Sequence, residues 1–277
     1  MAERILLAGC GDVGLRVAAR LLARGDEVWA LRRRPPHESV PGLHWLGGDL
    51  TAPHTLRGLP DGLARVVYLP APDARDKAAY RALFVDGLRH LLEALDTRAL
   101  RQVLLVSSSA VYGEHQGSWV DEDTPPAPLG FNGALLLEAE QWLAAQAVPS
   151  TVLRLAGLYG PGRMQLVERL RSGMQRVPRD LPHWANRIHV DDAASAIVHL
   201  LSLPEPLPLC VGVDDTPLPL DTLCDFLAQR LEVPPPREGN APVGVGSKRL
   251  RNARLRGSGW EPQWPDARDA YAALLDT

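Results

Sequence analysis

Three closely spaced glycines near the start of the chain could hold a phosphate group. Gly9, Gly11 and Gly14 lie in RILLAGCGDVG, residues 4–14, between an apolar run and a segment with helical periodicity. In such a turn one glycine permits a tight bend, the next lets the backbone approach a pyrophosphate, and the third lets the helix pack on the strand. The amino end of the helix adds amide donors and a partial positive charge. The pattern therefore predicts a dinucleotide-binding turn.

A run of arginines follows the next apolar segment. EVWAL at residues 27–31 predicts a second strand, which continues directly into Arg32, Arg33 and Arg34. NAD enzymes usually carry Asp or Glu at this point to bind the ribose hydroxyls, whereas a guanidinium binds a 2′-phosphate through paired hydrogen bonds. The arginines favour NADP as the cofactor, with NAD possible. The alternative is a solvated turn, because nearly all basic residues of this chain are arginines.

The next turn, GDL at residues 48–50, offers further contacts to a nucleotide. Asp49 could accept a hydrogen bond from an adenine amino group, and Leu50 could pack against the ring. Alternatively, Asp49 caps a following helix. The sequence GCGDVG lacks the Gly-Lys-Ser or Gly-Lys-Thr ending of a P-loop, so a nucleoside triphosphate site of that kind is not expected.

Composition argues against several classes of protein. The 277 residues carry 30 basic and 33 acidic side chains, a formal net charge of -3, without a long block of one sign, which is unlike a nucleic-acid binder. Cys10, Cys210 and Cys224 are far apart, so we expect neither disulfides nor a metal site, and a cytoplasmic location is the simplest. The apolar run at residues 5–8 is too short for a signal peptide or a membrane span.

Short apolar runs alternate with stretches of helical periodicity along most of the chain. This alternation predicts an α/β fold, a Rossmann-type doubly wound parallel sheet with a small C-terminal substrate lobe. The predicted strands are 5–8, 27–31, 44–50, 65–72, 102–109, 150–160 and 209–213. The predicted helices are 12–24, 76–97, 134–147, 191–202, 221–231 and 265–275. We assign residues 1–160 and 187–203 to the dinucleotide-binding core, and residues 161–186 and 204–277 to the lobe.

Several motifs follow one another in the order and spacing of a known superfamily. They are AGCGDVG (8–14), GDL (48–50), SSSAVYG (107–113), LRLAGLYGPGR (153–163) and RIHVDDAASA (187–196). Together they resemble the extended short-chain dehydrogenase/reductase superfamily, in its NAD-dependent epimerase/dehydratase branch, over essentially the whole chain. The tail SKRLRNARLRGSGW, residues 247–260, resembles an atypical bacterial subgroup of that branch. An FAD-binding enzyme could share the first turn, but the later motifs do not fit it.

The resemblance implies a set of cofactor contacts in the turns that follow the strands. In that family the loop after the sixth strand meets the nicotinamide, and the glycine turn holds the pyrophosphate. The implied cofactor-binding residues are Gly9, Gly11, Asp12, Val13, Gly14, Arg32, Arg33, Asp49, Leu50, Pro70, Ser107, Ala156, Gly157 and Leu158.

The resemblance also implies three candidate catalytic residues. Ser108 falls at the family's catalytic Ser or Thr, Tyr112 lies in its VYG element, and His189 lies in the strand beside its substrate pocket. Each has an alternative interpretation. Ser108 could cap backbone groups, Tyr112 could be buried with its hydroxyl satisfied locally, and His189 could belong to the core.

The superfamily's usual acid/base pair is missing from this sequence. That pair is a tyrosine whose phenol pKa is lowered by a lysine four residues later on the same helix face. Alignment places Asn132 and Leu136 at these positions, and no tyrosine of the chain has a lysine four residues on. Three hypotheses remain: an NADP-dependent oxidoreductase or epimerase-like enzyme that uses a substitute acid on a small carbonyl or hydroxyl substrate, a noncatalytic NADP sensor or regulatory module, and an interaction protein with a structural nucleotide.

A basic cluster in the tail could bind an anionic substrate if it folds over the cleft. Its members are Lys248, Arg249, Arg251 and Arg254. The alternative is a solvated charged segment.

The resemblance further implies a possible homodimer, because members of the family often dimerise through two helices, here 76–97 and 134–147. Apolar side chains on the second of these could supply such a face or could pack on the sheet. They are Leu135, Leu136, Leu137 and Trp142.

Overall fold

The computed structural model of the protein describes residues 2–36 and 40–276. Its strands, in chain order, are β1 Arg4–Ala8, β2 Glu27–Arg32, β3 Leu43–Gly47, β4 Arg65–Tyr68, β5 Gln102–Ser108, β6 Trp119–Val120, β7 Ser150–Leu155, β8 Gly157–Tyr159, β9 Arg176–Val177, β10 Trp184–Ala185, β11 Arg187–His189, β12 Leu209–Gly212, β13 Leu218–Pro219, β14 Arg237–Glu238 and β15 Arg249–Leu250. Its α-helices are α1 Asp12–Ala23, α2 Lys77–Tyr80, α3 Gly87–Ala94, α4 Phe131–Ala144, α5 Gln165–Arg171, α6 Val190–Ser202, α7 Leu220–Arg230, α8 Ala253–Gly257 and α9 Ala267–Leu275. Short 3-10 turns span Pro53–Leu56 and Ser109–Val111, and a π-helical turn spans Arg81–Asp86.

The central sheet has the strand order β12-β7-β5-β4-β1-β2-β3. β1 pairs in parallel with β2 on one side and with β4 on the other, and the β2–β3 and β4–β5 pairs are parallel too. The strand order therefore reverses at β1, and the loops that follow β1, β2 and β4 lie together at the carboxyl edge. Open α/β sheets bind their ligands at such a switch point. The predicted Rossmann-type doubly wound sheet is confirmed.

The first strand and helix follow directly from their sequence patterns. Residues 5–8 of β1 are fully buried, as expected for a central parallel strand that is covered on both faces. Helix α1 buries Val13, Val17 and Leu21 along one face. Gly25, with φ +88°, ends the helix in the left-handed conformation that glycine adopts most readily.

The predicted strand over residues 150–160 is two strands. β7 belongs to the central sheet, whereas β8 pairs in parallel with β11. Between them the amide of Ala156 donates to the main-chain oxygen of Gly212 at 2.8 Å, and that of Gly157 donates to the oxygen of Asn186 at 3.2 Å. This change of hydrogen-bond partner separates the two strands. The apolar sequence of residues 150–160 runs on without a break, so it did not predict the separation.

The predicted helix over residues 76–97 contains a π-helical turn between α2 and α3. The hydroxyl of Tyr68, at the end of β4, donates to the main-chain oxygen of Leu83 within this turn at 2.5 Å. A side chain that engages a helix carbonyl in this way locally disturbs the regular hydrogen-bond ladder. Such turns are frequent at functional sites, and Leu83 lines the cavity described below.

Helix α4 packs much of its apolar surface within the chain. Leu135 and Leu136 are 3% and 4% exposed, and Leu135 belongs to the core beneath the central sheet. Trp142 packs against the same core and against the guanidinium of Arg89, whose carbon lies 5.5 Å from the ring centroid. These contacts match the alternative in which the leucines pack on the sheet.

The chain divides into two compact units. The first comprises Met1–Ser108, Phe131–Arg154 and Ala194–Cys210, and the second comprises Ser109–Gly130, Leu155–Ala193 and Val211–Thr277. The predicted boundaries differ from these chiefly at residues 109–130, which we assigned to the core. Residues 109–130 belong to the second unit because their strand β6 pairs with β15. In this pairing Trp119 lies opposite Arg249, which is 130 residues further along the chain.

The second unit has its own apolar core, which includes Tyr159, Leu223, Leu227 and Tyr271. Its strands form two-stranded sheets, which are β6–β15, β8–β11, β9–β14 and β10–β13. In the described part of the chain, no helix is both long enough and apolar enough to cross a membrane.

Candidate functional site

A cavity of about 910 Å³ lies in the first unit at the carboxyl edge of the sheet. Its walls come from the carboxyl ends of four strands and the loops after them, together with part of α2 and the π-helical turn. These wall residues are 9–11 after β1, 31–34 at the end of β2 and beyond it, 48–51 after β3 and 70–74 after β4. Since β1 lies between β2 and β4, the cavity is at the strand-order reversal. This is where the sequence predicts the nucleotide.

The glycine turn forms one wall of the cavity. Gly9 has φ +87°, and a Cβ there would lie 2.5 Å from the Cα of Pro70, so only glycine fits. A Cβ on Gly14 would lie 2.9 Å from the sulfur of Cys10, which lets α1 pack closely on β1. A Cβ on Gly11 would meet no heavy atom of residues 2–36 or 40–276 within 4 Å. The turn thus leaves open space at Gly11, as the approach of a pyrophosphate to the backbone requires.

Helix α1 begins immediately at this open space. Gly11 is its N-cap residue, and no side chain of the described residues caps the helix. The first amide groups of a helix lack partners within the helix and attract anions. The turn and the helix start therefore fit the phosphates of a dinucleotide.

Two arginines and an aspartate lie across the mouth of the cavity. Arg33 binds Asp73 with both terminal nitrogens of its guanidinium, and Nη2 donates to Oδ1 at 2.6 Å. Both side chains are exposed, and each shifts the other, since the pKa of Arg33 is raised and that of Asp73 is lowered by their hydrogen bonds. The guanidinium carbon of Arg32 lies 5.9 Å from the Trp45 ring centroid. Arg32 and Arg33 both line the cavity, and Asp73 was not predicted from the sequence.

The GDL turn also lines the cavity. Asp49 accepts hydrogen bonds at Oδ1 from the amide and the hydroxyl of Thr51, at 2.9 and 2.8 Å. The next helical element is a 3-10 turn whose N-cap residue is Ala52, so Asp49 stabilises a local turn and does not cap that element. Leu50 is 5% exposed and offers an apolar wall.

The remaining predicted cofactor residues of the first unit differ in whether they line the cavity. Pro70 lines the cavity behind Gly9. Asp12 is exposed and pairs with Arg16 at 3.1 Å, and Val13 is buried in the helix face. Ser107 does not line the cavity, as its hydroxyl donates to buried Glu140.

Glu140 and Arg154 form a buried ion pair behind the end of β5. Their side chains are 6% and 5% exposed, and Nη2 of Arg154 donates to Oε2 of Glu140 at 2.6 Å. Ser107 donates to the other carboxylate oxygen. The network joins α4, β5 and β7, and so holds the carboxyl end of β5, where Ser108 is the last residue.

The three candidate catalytic residues differ in how their polar atoms are used. Ser108 is partly exposed at the end of β5. Tyr112 is 1% exposed, and its hydroxyl donates to the main-chain oxygen of Asp121 at 2.7 Å. His189 is 2% exposed, and its Nδ1 accepts a hydrogen bond from the amide of Asp191 at 3.2 Å. Of the three, Ser108 is the most accessible.

His189 lies among aromatic rings of the second unit. Its ring centroid is 5.3 Å from that of Tyr159 and 5.6 Å from that of Trp264. The neighbouring Asp192 accepts hydrogen bonds from the amides of Gln263 and Trp264, at 2.7 and 3.0 Å. This setting gives His189 and Asp192 a structural role in tying β11 and α6 to the segment before α9.

The predicted nicotinamide loop, residues 156–158, begins with buried Ala156. A Cβ on Gly157 would lie 3.0 Å from Nη1 of Arg187, so the backbone is closely covered there. Leu158 lines a second cavity of about 210 Å³ within the second unit. Arg163, Arg169 and Arg187 also line this cavity.

A buried carboxylate in the second unit was not predicted from the sequence. Asp214 is 3% exposed, and burial, followed by the nearby carboxylate of Asp266, raises its pKa to about 8. The Tyr159 hydroxyl is also buried, and burial raises its pKa as well. Tyr159 stacks on Tyr271 with their centroids 4.5 Å apart. Tyr159 lies within LRLAGLYGPGR, but that motif does not show that its hydroxyl is buried, and Asp214 lies in no recognisable motif.

The basic cluster of the tail is engaged in internal contacts. Lys248 is 3% exposed, donates to the main-chain oxygen of Gly246 at 3.2 Å, and has its pKa lowered by burial. The guanidinium carbon of Arg249 lies 4.9 Å from the ring centroids of both Trp119 and Trp184. Arg251 packs on Trp119 and Arg254 pairs with Asp123. These contacts favour a structural role over the anion site that the sequence suggested.

Comparison with known proteins places these features in a family. Residues 5–208 match the model described as NAD dependent epimerase/dehydratase family. Protein YeeZ of Escherichia coli (strain K12) is 27% identical over 281 residues, which cover 95% of this chain and 97% of YeeZ.

Two solved structures illustrate the likeness of fold. One from Methylobacillus flagellatus, described as a candidate NAD-dependent epimerase/dehydratase, is 40% identical with a TM-score of 0.84, and the match covers 100% of this chain and 98% of that one. The UDP-glucose 4-epimerase of Thermus thermophilus in complex with NAD is 21% identical with a TM-score of 0.81, covering 99% and 98%. With the glycine turn at the switch point and a family match over most of its length, this chain belongs to the NAD-dependent epimerase/dehydratase family.

Proposed function

We propose that this protein is an NADP-dependent oxidoreductase that acts on a small carbonyl or hydroxyl substrate without the usual tyrosine and lysine. The observation that carries the proposal is the cavity at the strand-order reversal, with the glycine turn on one side and three consecutive arginines on the other. Bound NADP would supply the hydride chemistry. The chain supplies binding, orientation and a hydrogen bond to the substrate oxygen.

The preference for NADP rests on the arginines at the end of β2 and directly after it. Arg32, Arg33 and Arg34 all line the cavity. The next two residues are Pro35 and Pro36, so no carboxylate directly after the strand is placed to bind a ribose diol. A guanidinium can donate two parallel hydrogen bonds to a phosphate. A 2′-phosphate on the adenosine ribose therefore has suitable donors in this cavity.

Ser108 is the residue that we propose donates a hydrogen bond to the substrate oxygen. It ends β5 and is partly exposed, while the neighbouring Ser107 is held by Glu140. The Tyr112 proton is engaged by Asp121, and His189 is enclosed by aromatic rings, so both are weaker candidates.

A noncatalytic NADP-binding sensor is the alternative, and one observation favours it. Helix α4, which aligns with the family's catalytic helix, carries Asn132 and buried Leu136 at the acid/base positions. Leucine cannot lower the pKa of a neighbouring group by charge. A protein with this helix could keep its cofactor site and lack turnover.

Calorimetric titration of the purified protein with NADPH, NADP, NADH and NAD tests the proposal. We expect NADPH to bind most tightly, and Arg33→Ala to weaken it about tenfold, the scale of a charge-assisted hydrogen bond. Arg98→Ala is the matched control, because Arg98 is exposed and pairs with Asp96 away from the cavity. Absence of binding by all four nucleotides would overturn the cofactor assignment.

A screen of carbonyl substrates with the bound cofactor then separates the two functions. Turnover that is lost in Ser108→Ala, with cofactor affinity retained, supports the oxidoreductase. Tight binding without turnover across the screen favours the sensor.

A further inference from the structure

The ion pair between Arg33 and Asp73 joins two loops that flank the glycine turn. Arg33 follows β2 and Asp73 follows β4, and β1 lies between these two strands in the sheet. Their guanidinium and carboxylate therefore meet across the carboxyl end of β1. Both residues line the cavity that we assign to the cofactor.

The carboxylate of Asp73 occupies the donors that a 2′-phosphate would need. It accepts from both terminal nitrogens of Arg33, which is the same paired geometry that a guanidinium uses for phosphate. A phosphate that binds Arg33 must displace this carboxylate and must also tolerate a second anion nearby. An unphosphorylated ribose meets neither cost, because a carboxylate can accept hydrogen bonds from its hydroxyls.

The charges around the pair reinforce this competition. Arg34 also lowers the pKa of Asp73, and Asp49 raises that of Arg33, so two carboxylates face the arginine run. Removal of Asp73 takes away one of these two carboxylates. The loss of Asp73 should therefore change the affinity for ligands that carry the 2′-phosphate more than the affinity for those that lack it.

We propose that Asp73 sets the selectivity of the cavity between phosphorylated and unphosphorylated adenosine ribose, by competing with a 2′-phosphate for Arg33. The inference rests on the proposed cofactor site and names a residue that limits its preference for NADP. Asp73 is a selectivity residue and takes no part in a chemical step.

Titration with two adenosine fragments tests this role without any turnover. The probes are adenosine 2′,5′-bisphosphate and adenosine 5′-monophosphate, and the readout is the ratio of their dissociation constants. We expect Asp73→Asn to shift this ratio about fivefold toward the bisphosphate, the upper scale of an exposed ion pair. The monophosphate affinity should be unchanged or slightly reduced.

Two comparisons make the result specific. Asp61→Asn changes the net charge equally, but Asp61 is exposed before the amino end of β4 and should leave the ratio unchanged. In an Arg33→Ala background, Asp73→Asn should have a smaller effect on the ratio, because the competed group is gone.

An unchanged ratio in Asp73→Asn, or the same shift in Asp61→Asn, would overturn the role of Asp73 while leaving the proposed cofactor intact. Failure of the wild-type protein to bind either fragment would overturn the cofactor site, and the inference with it.

Discussion

The phenol of Tyr112 donates a hydrogen bond to the main-chain oxygen of Asp121 at 2.7 Å. The ring is 1% exposed, so this bond is made away from bulk water. A phenol has one proton to donate, and here it serves to connect the residues after β5 with the residue that follows β6. In the arrangement observed, the phenol proton is held by this hydrogen bond, so we propose a structural role for Tyr112 and not the role of a substitute acid.

Tyr112→Phe should lower the free energy of unfolding and should have little effect on kcat. Removing the phenol leaves the Asp121 carbonyl without this donor, so we expect the free energy of unfolding to fall by about 1 kcal/mol. If the protein turns over a substrate, kcat should remain within a few-fold of the wild type. Denaturant unfolding and steady-state kinetics on the same preparation measure both. A loss of kcat of a hundredfold or more at unchanged stability would restore Tyr112 as the acid.

Glu140→Ala should be among the most destabilising single changes in the first unit. It removes the carboxylate that pairs with buried Arg154 and accepts from Ser107, and breaking a buried pair in this way costs about 3 to 5 kcal/mol. Glu138→Ala on the same helix is the control, because its ion pair with Arg81 is exposed and worth at most about 1 kcal/mol. Urea unfolding of both variants gives the comparison, and similar losses in the two would contradict the importance of the buried network.

The glycine turn can be tested by a pair of alanine substitutions. Gly9→Ala places a Cβ in a residue with φ +87° and against Pro70, so we expect a loss of more than about 2 kcal/mol in the free energy of unfolding. Gly11 has φ -96° and open space around it, so Gly11→Ala should fold normally. Its methyl group should instead weaken dinucleotide binding, because it occupies the space near the pyrophosphate. Thermal unfolding and calorimetry distinguish the two effects, and unaltered NADPH binding by Gly11→Ala would argue against this position of the phosphates.

Local features of the first unit could be predicted from the sequence, whereas contacts between distant residues could not. The glycine turn, α1 and the buried strands depend on local spacing and periodicity, so their prediction needed only a short window of residues. The pair of Arg33 with Asp73 joins residues 40 positions apart and depends on the order of β2, β1 and β4 in the sheet. Only the arginine half of it could be read from the chain.

The second unit was harder to predict because its features are made by packing. The separation of β7 from β8 depends on partners at Gly212 and Asn186, which lie far along the chain. The sequence left open whether Lys248 and its arginine neighbours bind an anion or are solvated. In the structure Arg249 packs on two tryptophan rings and Lys248 donates to a backbone oxygen. A carboxylate such as Asp214 has no sequence signature that distinguishes it from an exposed one.

Asp214 should make the stability of the protein depend on pH. Its pKa in the folded protein is raised to about 8 from an ordinary value of 3.8, so between these values the folded state holds a proton that the unfolded state has lost. The free energy of unfolding therefore falls as pH rises through this window, by about 1.4 kcal/mol per pH unit from this group. Asp214→Asn carries a permanently neutral side chain of the same shape and should remove this contribution. We expect the difference in unfolding free energy between the variant and the wild type to grow in favour of the variant from pH 5 to pH 8. A difference that stays constant over that range would show that Asp214 is ionised in the folded protein.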